Sequence, residues 1–203
     1  LVTMNRERME QVFYNALEFC QTFNRLPYFY ITGGDPILHP HFWYLLSLMQ
    51  LHDIPFTLMG NPFHLTDEVC RKMRDYGCDK YQMSIDGMEH THDWFRKPGT
   101  PSNQNELIIY SGCNCGNCHI TILPTGDIYA CRRVANSCVG NAYTERLSDV
   151  WIGARMEAYR DYGKFSKCSK CELLPYCRGC PAVASGSCGG DFYAPDPQCW
   201  KKC

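Results

Sequence analysis

The sequence predicts an α/β first half, built from βα units on a parallel sheet, followed by a small cysteine-rich α+β domain. Three observations carry this. Helical and strand-like patterns alternate from Met4 to Ile85, a turn signature separates two short strands around Thr125, and twelve of the 15 cysteines lie between Cys113 and Cys203. Alternating helices and strands lay successive strands side by side and parallel, because each helix carries the chain back across the sheet face.

Each element has its own reason. Residues 4–23 read as a helix, since Met9, Val12, Phe13, Ala16, Leu17 and Cys20 recur at three- and four-residue steps. Tyr28-Phe29-Tyr30-Ile31-Thr32 reads as a buried strand and runs into Gly33-Gly34-Asp35-Pro36. Residues 41–51 make a second apolar helix, and Pro55-Phe56-Thr57-Leu58-Met59 a second strand stopped by Gly60-Asn61-Pro62. Thr66 can cap a third helix that carries Val69, Met73 and Tyr76 on one face and ends at Gly77. Tyr81-Gln82-Met83-Ser84-Ile85 is the third strand, followed by Asp86-Gly87.

Parallel sheets bind ligands beyond the carboxyl ends of their strands. The residues predicted there are Gly33-Gly34-Asp35-Pro36, Gly60-Asn61 and Ser84 to Gly87. Glycines let a ligand approach the backbone closely. Asp35 can accept from an ammonium group, while Asn61 and Ser84 offer neutral hydrogen bonds. Gly-Gly-Asp-Pro can equally be a plain turn.

In the second half, Pro124-Thr125-Gly126-Asp127 is a hairpin signature, and the hairpin is expected to bring Cys118 near Cys131. A helix over residues 145–162 carries apolar Leu147, Val150 and Trp151. Then come Cys168-x-x-Cys171, Cys177-x-x-Cys180, Cys188, Cys199 and Cys203. An odd cysteine count with no secretory leader argues against a disulfide framework and for thiolates held in a reducing cytoplasm. One Cys-x-x-Cys is weak, but two beside a cysteine-bearing hairpin argue for metal, as a four-thiolate zinc site or as iron–sulfur clusters. The formal net charge of −1 implies no broad attraction to nucleic acid or to an anionic membrane. No apolar run approaches the roughly 18 residues of a membrane span.

The run from Ile31 to Pro40 resembles the second-strand motif of radical S-adenosylmethionine (SAM) enzymes, usually Gly-Gly-Glu-Pro and here Gly33-Gly34-Asp35-Pro36. Ser84-Ile85-Asp86-Gly87, with His92-Asp93 and Arg96, resembles the family's fourth strand and the loop after it. The resemblance implies that residues 1–100 form part of a (β/α) radical SAM barrel. Gly33, Gly34 and Asp35 would meet the methionine amine of SAM, Ser84 would add a polar contact, and Arg96 would meet the carboxylate. His39, His90 and His92 read as loop histidines.

The family's Cys-x-x-x-Cys-x-x-Cys motif, which binds the [4Fe–4S] cluster that cleaves SAM, is absent from this sequence, and Cys20 lies mid-helix. Leu1 is not an initiator residue, so the sequence is expected to begin just after that motif, with the radical SAM cluster held in the intact protein. Three strands cannot close a barrel, so barrel units are expected to be missing, with a break in the chain between about Gly99 and Asn105; the alternative is a natural degenerate form that lacks the radical cluster.

Residues 107–203 resemble the SPASM domain attached to many radical SAM enzymes. The matching order is Cys113, Gly126, Cys131, Cys168, Cys171, Cys177, Cys180 and Cys199, closing on Asp196-Pro197-Gln198-Cys199. Two residues, rather than the usual three, separate Cys177 from Cys180. The resemblance implies two auxiliary [4Fe–4S] clusters. One would be held by Cys113, Cys131 and Cys180 with Cys118 or Cys115, the other by Cys168, Cys171, Cys177 and Cys199. Cys138, Cys188 and Cys203 have no family role, although Cys188 and Cys203 could substitute as ligands. Cys70 and Cys78 read as helix-end residues.

The function implied is maturation of a ribosomally made peptide, by a crosslink formed through hydrogen abstraction. Its partners would be the peptide and an external reductant, without nucleic acid or membrane, in the cytoplasm. The alternatives are a formylglycine-forming sulfatase maturase and a non-catalytic zinc module that binds a protein.

Overall fold

Three strands, β1 (Phe29–Ile31), β2 (Phe56–Met59) and β3 (Cys78–Gln82), lie parallel in the order β1-β2-β3. The computed structural model describes residues 2–83, 113, 115–174 and 177–201. The expected positions Ser84, Arg96, His90, His92 and Cys203 lie outside the described residues, as does the expected break near Gly99.

Helices α1 (Arg6–Thr22), α2 (Phe42–Leu51) and α3 (Asp67–Asp75) alternate with these strands. On α2, Phe42, Leu46 and Met49 fall on one face and are at most 2% exposed. Each such side chain contributes roughly 1.5–3 kcal/mol by leaving water. The Thr66 hydroxyl accepts from the Val69 amide at 3.2 Å and caps α3, whose first turn holds Asp67 and Glu68 and whose last holds Lys72 and Arg74. That charge order suits the helix dipole.

Of these three strands only β2 is buried, with Phe56, Thr57 and Leu58 at most 3% exposed. The expectation that residues 28–32 form a buried strand is corrected, because among the described residues β1 pairs only with β2 and Tyr30 is 62% exposed. The third strand also starts earlier than expected, at Cys78 instead of Tyr81. Polar Cys78-Asp79-Lys80 hides it from a hydrophobicity pattern, yet pairing with buried β2 extends it.

A second, antiparallel sheet is formed by β4 (Thr121–Ile122), β5 (Asp127–Tyr129) and β6 (Cys138–Asn141). The hairpin stands where the turn signature puts it, closed by Gly126 N–H to the Leu123 carbonyl at 2.8 Å. Strand β6 is not legible beforehand, since Cys-Val-Gly-Asn offers one strong β-former, Val139, which is 1% exposed. The single helix expected over 145–162 is two, α4 (Leu147–Ile152) and α5 (Ala154–Glu157), because Gly153 between them is extended at φ −73° and ψ 154°. Helix α6 (Pro181–Ser187) follows the last Cys-x-x-Cys.

The described residues group into two units, and the division falls inside α1. One takes Asn5–Glu10 with the described part of Phe23–Leu107; the other takes the described parts of Leu1–Met4 and Ile108–Cys203 with Gln11–Thr22. Within the second unit, Asn15 accepts from the Leu147 amide at 2.9 Å and donates to the Glu145 carbonyl at 2.9 Å. It thereby caps α4, whose own N-cap residue Arg146 supplies no side-chain bond. The core of this unit gathers Cys115, Ile128, Val139, Leu147, Met156 and Phe165.

Candidate functional site

At the carboxyl end of β1 the chain turns through Gly33 at φ +111° and Gly34 at φ +54°. Side-chain-bearing residues rarely adopt those angles, and no atom of the described residues lies within 4 Å of where either Cβ would stand, so among them this backbone is bare. Asp35 follows. Its side chain is 9% exposed, and neither buried carboxylate oxygen has a hydrogen-bond partner. His64 Nε2, which carries charge only when protonated, stands 3.7 Å from Oδ2. A Cβ placed on Gly60, after β2, would stand 3.1 Å from Asp35 Oδ1 and 2.6 Å from the Tyr81 hydroxyl on β3. The three strand ends therefore converge on one carboxylate.

A buried acceptor without a donor is costly. Asp35 has the chemistry to accept from a cationic donor such as a primary ammonium. The Tyr81 hydroxyl donates to the Asn61 carbonyl at 2.9 Å, and burial first, then the Asp35 charge, pushes its pKa up to about 12. Tyr81 therefore stays a neutral donor beside the carboxylate. Asn61 spends its side-chain oxygen on the Phe63 amide at 3.1 Å, capping the turn after β2.

The first cysteine group brings together Cys113, Cys115, Cys131 and Cys180. Burial, then the nearby Cys131 and Cys180, holds the Cys113 thiol above its ordinary value, opposed by the Cys115 backbone and Arg178. Cys115, 1% exposed, is hydrogen-bonded to Cys131. That bond, with further bonds from the backbone of Arg133 and Val134, favours ionisation of Cys131, and the Cys115 thiol rises correspondingly. Cys118 is exposed, and burial raises its thiol while Arg178 opposes the rise; Cys115 is the cysteine hydrogen-bonded to Cys131.

Four side chains fix this group. The buried Ser137 hydroxyl donates to the Cys131 carbonyl at 2.9 Å or the Val134 carbonyl at 2.7 Å, and accepts from the Cys131 amide at 3.3 Å. Arg160 Nε donates to the Gly116 carbonyl at 2.6 Å, and the Tyr162 hydroxyl to Asn117 at 2.8 Å. Arg178 donates to the Cys113 carbonyl.

The second group gathers Cys168, Cys171, Cys177 and Cys199. Burial and then the charges of Cys199, Cys171 and Cys177 oppose ionisation of Cys168. The Gly179 amide donates to Cys177 Sγ at 3.4 Å and Lys167 Nζ to Cys199 Sγ at 3.3 Å. Asp196 links the two groups, accepting from the Cys180 amide at 2.7 Å and from the Gln198 amide at 2.8 Å. A Cβ on Gly179 would stand 2.7 Å from Asp196 Cβ, so only glycine permits this approach.

Cys113 and Cys168, whose ionisation is opposed by burial and by neighbouring thiols, suit an iron–sulfur cluster, which deprotonates its ligands and balances their charge. All fourteen described cysteines are free of disulfides. Among the described residues no three candidate ligands converge on the point one metal ion would occupy. Cys138 and Cys188 are exposed and lie in neither group, while Cys70 and Cys78 line a groove of about 220 Å³ beside Met73 and Tyr81. Ser137, Arg160, Arg178 and Asp196 carry no sequence signal for these roles, apart from the position of Asp196 in Asp-Pro-Gln-Cys.

Residues 4–113 match the model of the radical SAM superfamily, and residues 113–181 match that of SPASM, an iron–sulfur cluster-binding domain. The SPASM match spans seven of the expected ligands and stops short of Cys199. The crystal structure of selenomethionine BtrN in an open conformation is similar in fold, with 13% identity and a TM-score of 0.58 over 83% of this chain and 80% of that one. The crystal structure of BtrN in complex with AdoMet and 2-DOIA is similar too, with 12% identity and a TM-score of 0.58 over 84% and 78%. No curated protein matches the chain. Among the described residues no helix is long and apolar enough to cross a membrane.

Proposed function

The chain belongs to the radical SAM superfamily with a SPASM domain behind it, and from that premise we propose a peptide maturase that forms a crosslink after hydrogen abstraction. Membership makes it an enzyme of SAM radical chemistry that uses iron–sulfur clusters. The observation that carries the reading at the strand-end site is Asp35, a buried carboxylate with no donor, at the convergence of three strand ends. Asp35 would accept from the SAM ammonium, and the bare Gly33-Gly34 backbone would admit the methionine moiety beside it. When bound, SAM and a reduced cluster supply hydrogen-atom abstraction. Cys113, Cys131 and Cys180, with Cys115 or Cys118, would hold one auxiliary [4Fe–4S] cluster, and Cys168, Cys171, Cys177 and Cys199 a second. A peptide substrate is favoured because paired clusters of this cysteine order commonly accompany peptide modification, which is analogy at the level of the domain. A small-molecule substrate is the second reading, favoured by the similar fold of BtrN, known in complex with AdoMet and 2-DOIA.

The intact protein, reconstituted anaerobically, reduced and given SAM, is expected to release 5′-deoxyadenosine. A peptide encoded beside it should lose two hydrogens in mass upon co-expression. Asp35→Ala should weaken SAM binding about tenfold or more, since a charge-assisted hydrogen bond of ~1.5–3 kcal/mol is lost, while Asp35→Glu should recover part of it. SAM cleavage with every neighbouring peptide unchanged would contradict the maturase reading. Clustered protein that never cleaves SAM with any reductant would contradict the enzyme.

A further inference from the structure

Arg178 is the most unusual charge in the cysteine-rich unit. It lies inside Cys177-Arg178-Gly179-Cys180 and is 6% exposed. One terminal nitrogen, Nη2, donates to the Cys113 carbonyl, 65 residues away. The guanidinium lies over the Tyr162 ring, 4.4 Å from its centroid. The other terminal nitrogen, Nη1, is buried without a hydrogen-bond partner. Among the described residues no carboxylate forms an ion pair with it.

Arginine is almost never buried unless paired, and an uncompensated buried charge is strongly unfavourable. Its Nη2 bond to the Cys113 carbonyl sets the guanidinium beside the first cysteine group, whose sulfurs become anionic when they bind iron. Four thiolates around a [4Fe–4S] core leave a net negative charge, which one-electron reduction deepens. A fixed cation nearby therefore stabilises the reduced state more than the oxidised one, and raises the potential.

We infer that Arg178 is the built-in counter-charge of the cluster held by Cys113, Cys131 and Cys180, a positioning residue that holds Cys113 through Nη2, offers Nη1 to the cluster and raises that cluster's reduction potential. This rests on the iron–sulfur assignment of the first cysteine group. It implies that the two auxiliary clusters differ in potential because of a residue that ligates neither. The always-charged guanidinium, anchored at one end and stacked on an aromatic face, suits a permanent charge better than lysine.

The test is an EPR-monitored redox titration of the intact, anaerobically reconstituted protein with dithionite as reductant, alongside iron and sulfide content. Arg178→Gln should lower one midpoint potential and leave the other unmoved. At the wild-type midpoint the reduced-to-oxidised ratio of that cluster should fall about tenfold, a shift of about 59 mV for one electron. Arg178→Lys should move it less. Should Arg178→Gln lose this cluster's iron altogether, Arg178→Lys decides: a retained cluster near the wild-type potential supports the inference, and equal loss overturns it. Unchanged potentials in Arg178→Gln, or equal shifts in both clusters, also overturn it. Wild-type protein with no iron in the first group would overturn the assignment beneath it, an outcome visible before any variant is made.

Discussion

The two cysteine groups use the same ligand chemistry in different surroundings. Cys115 of the first group is part of the hydrophobic core, and Cys113 and Cys131 pack against it; of the second group, only Cys168 does. The first group is braced by Ser137, Arg160 and Arg178, and its cation is a buried guanidinium. The second is spread over loop segments, and its cation is a lysine that donates to Cys199 Sγ directly. Packing thus holds one group in advance, whereas the other depends more on its loops being pinned. Asp196 does that pinning and also reaches across to the Cys180 amide.

Asp196→Ala is the variant expected to break the contrast most. It removes the acceptor of the Cys180 and Gln198 amides, so iron content should fall by more than one cluster's share. Iron unchanged within error would mean that the loops hold the second group without it. Next comes Asn15→Ala, which should act through the fold, with iron retained. Losing the remote cap of α4 should lower stability by about 0.5–2 kcal/mol, read as a shifted denaturant midpoint. Ser137→Ala leaves the Cys131 amide without that buried partner, and should cost about 1–3 kcal/mol with the first cluster affected before the second. The smallest effect should come from Lys167→Met, which removes a partly exposed donor to Cys199; the second cluster's potential should drop slightly, by less than the Arg178→Gln change in the first. A larger drop than that would invert the comparison.

What could be read beforehand follows the range of the signal. Helices α2 and α3 and strand β2 were legible because apolar period, cap and stop lie within a few residues of one another. The same holds for the hairpin turn and the cysteine spacings. Strand β3 was read late because Cys78-Asp79-Lys80 is polar and only its neighbour β2 makes it a strand. The pattern over residues 145–162 predicts one helix where Gly153 makes two, since a single glycine leaves an apolar pattern intact. The strand-end seat was legible as a motif, but the lack of any donor to Asp35 is a three-dimensional fact. Arg178 and Asn15 were illegible for a plainer reason: their partners lie 65 and 132 residues away, beyond any local pattern.

The most direct measurement is iron, acid-labile sulfide and EPR on the intact protein and two single variants, Cys131→Ala and Cys171→Ala, all prepared anaerobically. Each variant should lose about one cluster's iron and sulfide, and the two should lose different EPR signals, because each cysteine belongs to a separate group. Zinc with no labile sulfide in the parent protein, or both variants losing the same signal, would contradict the assignment of two clusters to these two groups.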